Sequence, residues 1–308
     1  SGETNTETFR AAVKTAGGII GFCDANDSAY GDAIGVATGE TFSCRTAYAT
    51  TADGLPTLGT ANSDGVYINA RTFTVAEGGT LAFQNATRWR QAGAISGAGN
   101  VACSNVKDAL NFAGDNSAFS GTWTSTSSWI FWHEPANLGS ASAKLVIQGG
   151  ASIGTADVAA DFPQTFTLNS GTLDVESSKA TVSSLAITPT NGAVKINGGI
   201  LEVNATNLTI ATGAVINGTG TLLVDIPVGS TYIVPALSGG VTLAFSGAGS
   251  IDLRYLGSAF TGILSINSGV TIVSNLQPAA NPVLWLDPTA PASLVLANGS
   301  TTNVSGWY

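Results

Sequence analysis

Between Thr165 and Asn275 the chain is a series of short apolar strands cut by glycine at near-regular intervals. Stretches such as Thr165-Phe-Thr-Leu-Asn-Ser-Gly-Thr-Leu-Asp-Val175 and Gly198-Gly-Ile-Leu-Glu-Val-Asn204 alternate apolar and polar positions and favour β-branched residues. That is the pattern of strands with one buried face. A glycine followed by a Leu- or Ile-containing strand recurs at Gly171, Gly199, Gly220, Gly240 and Gly269, with spacings of 28, 21, 20 and 29 residues. A repeat of this length cannot bury its apolar face alone and must stack on its neighbours. The pattern predicts an all-β solenoid. A β-sandwich is the rival fold, because the Asn-Gly pairs at 191, 197, 217 and 298 suit hairpins as well as coil corners.

Composition points the same way. Charged residues are 10% of the chain, against ~25% in ordinary soluble domains, so neutral Ser, Thr and Asn must coat the surface. Stacked neutral side chains form hydrogen-bonded ladders without the repulsion of stacked like charges. A net charge of −9 argues against nucleic acid as a partner, since phosphate binding needs clustered Lys and Arg. The closest basic-aromatic patch, Arg88-Trp-Arg90, reads as an exposed pair on a strand. No run approaches the ~18 apolar residues of a membrane span. The sequence has no methionine and begins at Ser1, which reads as a mature form exported from the cell.

Three segments follow from these patterns. In the cap at 1–64, Thr4-Asn-Thr-Glu7 is a capping box ahead of Phe9, Ala12 and Val13 on one helical face, and Gly17-Gly18 supplies a stop. This short helix is expected to cover the first rung or to dock on a neighbouring subunit through Phe9 and Val13. Cys23 and Cys44 flank a Gly- and Asp-rich loop and form the candidate disulfide, with Cys103 then buried or paired elsewhere. The loop Cys23-Asp-Ala-Asn-Asp27 departs from the D-x-[DN]-x-[DN]-G pattern, so it reads as a solvated turn and not as a calcium site. The solenoid itself spans 65–276, and a strand segment occupies 277–308.

Two stretches within the chain match each other. Ser96-Gly-Ala-Gly-Asn-Val101 leads to Ser117-Ala-Phe-Ser-Gly-Thr-Trp123, and Ser246-Gly-Ala-Gly-Ser-Ile251 leads to Ser258-Ala-Phe-Thr-Gly-Ile-Leu264. The second copy continues as Leu264-Ser-Ile-Asn-Ser-Gly-Val-Thr-Ile272. The pattern resembles the autotransporter-associated, or passenger-associated, β-strand repeat. About a quarter of the chain matches it closely. In the first copy an insertion containing Cys103-Ser-Asn-Val-Lys-Asp-Ala-Leu110 widens the interval by nine residues. The resemblance implies a right-handed parallel β-helix in a secreted or surface-displayed bacterial protein, used as a stalk, adhesin or matrix component. It carries no catalytic residues to transfer.

The chain changes character at Gln277-Pro-Ala-Ala-Asn-Pro282. Val283-Leu-Trp-Leu-Asp-Pro288 and Leu294-Val-Leu296 look like the opening strands of a laminin-G or concanavalin-like jelly roll, which needs well over ~100 residues. The alternative is a strand donated to a neighbouring subunit, with Leu284, Trp285, Leu286, Leu294 and Leu296 as contacts.

Chemistry-bearing patterns are sparse. His133 is the single histidine, which excludes multi-histidine metal sites and Ser-His-Asp or Cys-His arrangements unless that one residue serves. It follows Trp129-Ile-Phe-Trp132, where Trp129 and Trp132 are candidates for stacking on a sugar or for filling a rung. Asp157, Asp161, Asp174 and Glu176 are the carboxylates a polysaccharide-active β-helix would use, with Asp174 and Glu176 on the same face of one strand. Seven N-x-[ST] sequons, Asn204-Ala-Thr206 among them, reflect mostly the abundance of Asn and Thr. The leading expectation is a non-enzymatic, secreted structural solenoid that self-associates into an extracellular fibre or sheath without a cofactor. The alternatives are a cell-surface stalk displaying a glycan-binding domain, and a polysaccharide-active enzyme.

Overall fold

The computed structural model describes residues 33–45, 60–61, 67–84, 89–104, 109–126, 129–155, 158–189, 192–273 and 284–286. These residues form stacked parallel strands, a β-solenoid almost without helix. The rival sandwich is excluded, since its strands would pair antiparallel. Thr60–Ala61 pairs antiparallel with Tyr67–Asn69, beside stacks whose pairing is parallel. The expected helix at 1–18 lies outside the described residues. The chain divides into two compact units, residues 1–155 with 160–167, and residues 156–159 with 168–308.

In the first unit each coil has three sides. The first side stacks Ala33–Val36, Thr72–Val75 and Ile95–Gly97, and continues through a bridge from Gly97 to Phe119. The second stacks Thr41–Arg45, Thr80–Gln84, Asn100–Ser104, Thr122–Thr126 and Lys144–Ile147. The third stacks Tyr67–Asn69, Trp89–Gln91, Ala109–Phe112, Trp129–Trp132 and Gly150–Ile153. Beyond the first coil, where Thr41 stands opposite Thr80, partner residues one coil apart are 20 to 22 positions apart, as in Thr80 opposite Asn100 and Asn100 opposite Thr122. The stack therefore already includes strands at 33–36 and 41–45, ahead of the boundary expected at 65.

Alternation along each strand decides what fills the coil. Thr72-Phe-Thr-Val75 buries Phe73 and Val75, and Thr122-Trp-Thr-Ser125 buries Trp123 and Ser125. The interior of this unit is an aromatic stack. Phe112 lies 4.5 Å from Trp123 and 5.8 Å from Trp132, centroid to centroid, with its ring parallel to Trp132 within 14°. Trp123 donates its Nε1–H to Leu138 O at 2.6 Å. Leu138 closes a one-turn helix, Pro135–Leu138, that the strand pattern does not anticipate. Pro135 at its first position has the fixed φ that a helix start accepts.

A column of buried amides lines the corner leading from the third side to the first. Asn69 Nδ2 donates to Gln91 Oε1 at 2.9 Å, and Gln91 Nε2 donates to the carbonyls of Arg71 and Gly93. Asn116 Oδ1 accepts from the Ile95 N–H at 2.7 Å, and Asn116 Nδ2 donates to Asn137 O. Asn137 Nδ2 donates to Gly114 O, while Gln164 Nε2 donates to Pro135 O and Gly139 O. Where the chain turns, backbone groups point inward with no ladder partner, and these side chains satisfy them.

The second unit is built the same way with a mainly aliphatic interior that includes Phe245. Gly171–Val175 stacks under Val194–Gly198, and Lys179–Val182 under Ile200–Val203. Ile200–Asn204 is followed by Thr221–Ile226, Thr242–Gly247, Leu264–Ile266 and Leu284–Leu286. A third column joins Thr231–Ile233, Ser250–Asp252 and Thr271–Ile272. Leu173, Val175, Leu201, Val203, Leu222, Val224 and Leu243 fill the centre. The expected neutral ladders are present on the outside: Thr74 Oγ1 lies 3.2 Å from Ser96 Oγ, and Thr188 Oγ1 donates to Asn169 Oδ1 at 2.9 Å.

The matched segments are corners. Gly97 and Gly247 have φ of 96° and 95°, a conformation that favours glycine. The N–H groups of Gly99 and Gly249 each donate at 3.0 Å to the coil below, at Val75 O and Ile226 O. The second motif is also shared, since Phe119 bridges to Gly97 and Phe260 bridges to Gly239. The nine extra residues of the first copy accommodate one additional side, the strand Ala109–Phe112.

Candidate functional site

The third side of the first unit presents a row of rings to the outside. Along Trp129–Trp132 the burial alternates, so Ile130 and Trp132 point inward while Trp129 and Phe131 stay half-buried on the outer surface. His133 extends the row. Ring centroids are 6.1 Å apart for Trp129 and Phe131, and 6.4 Å for Phe131 and His133, whose planes lie within 25°. This spacing follows from strand geometry, in which every second residue returns to the same face after ~6.6 Å.

The neighbouring coils frame the row. Gly150 stands opposite Trp129 on the following coil and leaves no side chain against the indole. Phe131 lies in register between Asn111 on one side and Ser152 on the other. Asn111 Nδ2 and His133 Nε2 are 2.8 Å apart. Asn111 Oδ1 and Ser152 Oγ are buried without a hydrogen-bond partner among the described residues. One coil earlier in the same column, Arg90 is exposed and Trp89 is buried. Arg90 is therefore exposed as expected, with the tryptophan of that motif facing the core.

The sequence pairing of Trp129 with Trp132 does not hold as a surface. Trp132 is 0% exposed and stacks on Phe112, so it offers no face to a sugar. With a side-chain period of two, positions three apart lie on opposite faces of a strand. Phe131 takes the place assigned to Trp132. The alternation of the strand is the signal that identifies it.

Other predicted residues fall elsewhere. Asp174 and Glu176 are half-buried on the outer face of Gly171–Ile187, and Asp161 is exposed. Desolvation raises the Asp174 carboxyl above its ordinary value. Asp157 lies outside the described residues, as do Phe9, Val13, Cys23, Leu294 and Leu296. Cys44 lies on Thr41–Arg45. Cys103 is a free thiol inside the second side, between Phe83 and Ser125 in register, and burial pushes its pKa up. The strand Leu284–Leu286 pairs in parallel with Leu264–Ile266, so it extends this chain's own stack instead of lacking a sheet. Among the described residues no group of three His, Cys, Asp or Glu side chains is placed to hold a metal, and no helix is long and apolar enough to cross a membrane. No family model, curated protein or solved structure matches the chain.

Proposed function

We propose that this chain is a non-enzymatic structural β-solenoid of the cell exterior that self-associates end to end into a fibre or sheath. One observation carries the reading. Within each unit, coil after coil receives the next through the same parallel register, as in Thr221 opposite Thr242 and Leu243 opposite Leu264. The upper surface of a coil therefore complements the lower surface of another, and such a head-to-tail contact propagates without closing. The neutral, weakly charged surface adds little repulsion to such a contact, and it suits an exported protein better than a binder of charged polymers.

Electron microscopy of the purified full chain, beside a truncation lacking residues 278–308, tests the proposal. The expected result is fibres whose oriented diffraction shows the strand spacing of ~4.8 Å along the fibre axis. Fibres lost on truncation would place the contact at the last strands. Isolated particles at every concentration, or fibres with that reflection across the axis, would overturn end-to-end stacking.

A further inference from the structure

The aromatic row is not needed for coil stacking, because its rings face away from the core while Ile130 and Trp132 on the same strand do the packing. We propose that Trp129, Phe131 and His133, with Arg90 and Asn111 at their edge, form a binding site for a neutral oligosaccharide that lies along the strand with its sugar faces on the rings. The proposal stands whether or not the protein forms fibres.

Three features select this occupant. The face of an aromatic ring is electron-rich, and the axial C–H groups of a pyranose present a weakly positive apolar surface to it. Phe131 follows Trp129 at 6.1 Å with its plane turned by 63°, and His133 follows Phe131 at 6.4 Å within 25°, so a linear chain of sugars that twists along its axis meets one ring after another. Gly150 beside Trp129 leaves the indole open on that side.

The polar groups around the rings complete the match. Asn111 and Ser152 stand in register on either side of Phe131, but Asn111 Oδ1 and Ser152 Oγ are buried beneath the surface. Arg90, exposed in the same column, has donors directed to the outside. A sugar brings hydroxyl groups and an apolar face together, so it can stack on the rings and accept from Arg90 at once. An apolar peptide would cover the Arg90 donors without pairing them. A single-stranded nucleic acid could stack on the rings, but its phosphates would meet a chain of net charge −9 with one arginine at the row.

Titration calorimetry on the full chain tests the site with cellohexaose, xylohexaose, mannohexaose, maltohexaose and hexa-N-acetylchitohexaose as probes, and with a 20-mer of deoxythymidylate as the charged control. Trp129→Ala, Phe131→Ala and Phe131→Tyr are compared with Tyr255→Ala, which removes an exposed ring from the second unit. The expected result is binding of at least one neutral hexasaccharide, weakened roughly five- to tenfold by Trp129→Ala or Phe131→Ala. Phe131→Tyr should retain binding, since its ring is kept, and Tyr255→Ala should leave it unchanged. Phe131→Tyr also keeps the proposal falsifiable if an alanine variant fails to fold, because loss of binding in the folded tyrosine variant counts against stacking. No binding of any hexasaccharide, binding that survives both alanine variants, or row-dependent binding of the deoxythymidylate alone would overturn the proposal.

Discussion

Gly121→Ala should be among the most damaging single-methyl additions in the first unit. A Cβ on Gly121 would stand 1.8 Å from Gly99 O and 2.8 Å from Phe119 Cζ, where ordinary contact begins near 3.4 Å. The obstacle is backbone of the coil below, which cannot swing aside as a side chain would. Relief requires the two coils to part by roughly 1.5 Å, a large fraction of the ~4.8 Å between paired strands. The Thr122 N–H to Gly99 O bond, 3.1 Å long, is then lost, and the Lys144 N–H to Gly121 O bond at 3.0 Å is strained. Stranding one buried carbonyl costs about 1–3 kcal/mol, and overpacking adds a further ~1–3 kcal/mol. A total near 4 kcal/mol corresponds to a fall of roughly 10 °C in melting temperature for a unit of this size. Gly262→Ala repeats the experiment in the second unit, where the new methyl would stand 1.9 Å from Val241 O. Gly257→Ala is the control, with nothing within 4 Å, and should stay within about 0.5 kcal/mol of the parent. Thermal melts with amide exchange at Thr122 decide the matter. A Gly121→Ala protein melting within ~2 °C of the parent, with Thr122 still protected, would refute the coil spacing on which the argument depends.

Further outcomes follow from the interior and the outer face. Asn116→Ala removes both the acceptor for Ile95 N–H and the donor to Asn137 O, and should cost about 2–5 kcal/mol by denaturant titration. Cys103 should resist alkylation in the native protein and react orders of magnitude faster in denaturant, as read by peptide mass mapping, because its thiol is buried and its pKa raised. Asp174 has a folded-state pKa above its unfolded value of 3.8, so the stability linked to its protonated form is present below that value and declines as pH rises through the folded pKa. Asp174→Asn should therefore match the parent in melts near pH 3 and exceed it slightly at pH 7. The gain should stay below ~1 kcal/mol, since the carboxyl is largely solvated.

Stacking was the most legible property, because glycine marks corners and alternation marks sides. The irregular spacings of 28 and 29 residues have a physical cause. Gly199 and Gly220 precede partners Ile200 and Thr221 at one corner, whereas Gly171 pairs with Val194 on a different side. Counting glycines without their corner thus mixes full coils with partial ones. The two copies of Ser-Gly-Ala-Gly and Ala-Phe-[Ser/Thr]-Gly were correctly paired as motifs, and the backbone explains why: both hold the same hydrogen bonds to the coil beneath.

The amide column was hidden, since Asn69, Gln91, Asn116, Asn137 and Gln164 have the composition of a surface. Their recurrence at about one coil is a signal, but it becomes readable once a corner is known to leave inward carbonyls unpaired. The aromatic row was half legible. Trp129 and His133 stood out by rarity, while the pairing with Trp132 ignored the period of two that places Phe131 outside and Trp132 in the core.

The corner tetrapeptides bear on how such a chain can evolve. Ser96-Gly-Ala-Gly99 joins the first side to the second, whereas Ser246-Gly-Ala-Gly249 joins Thr242–Gly247 to Ser250–Asp252, a different vertex of its coil. A vertex piece that fits more than one position lets recombination between its copies add or delete a single side. Length can then change in steps smaller than a whole turn, with the joints on either side of the change left intact.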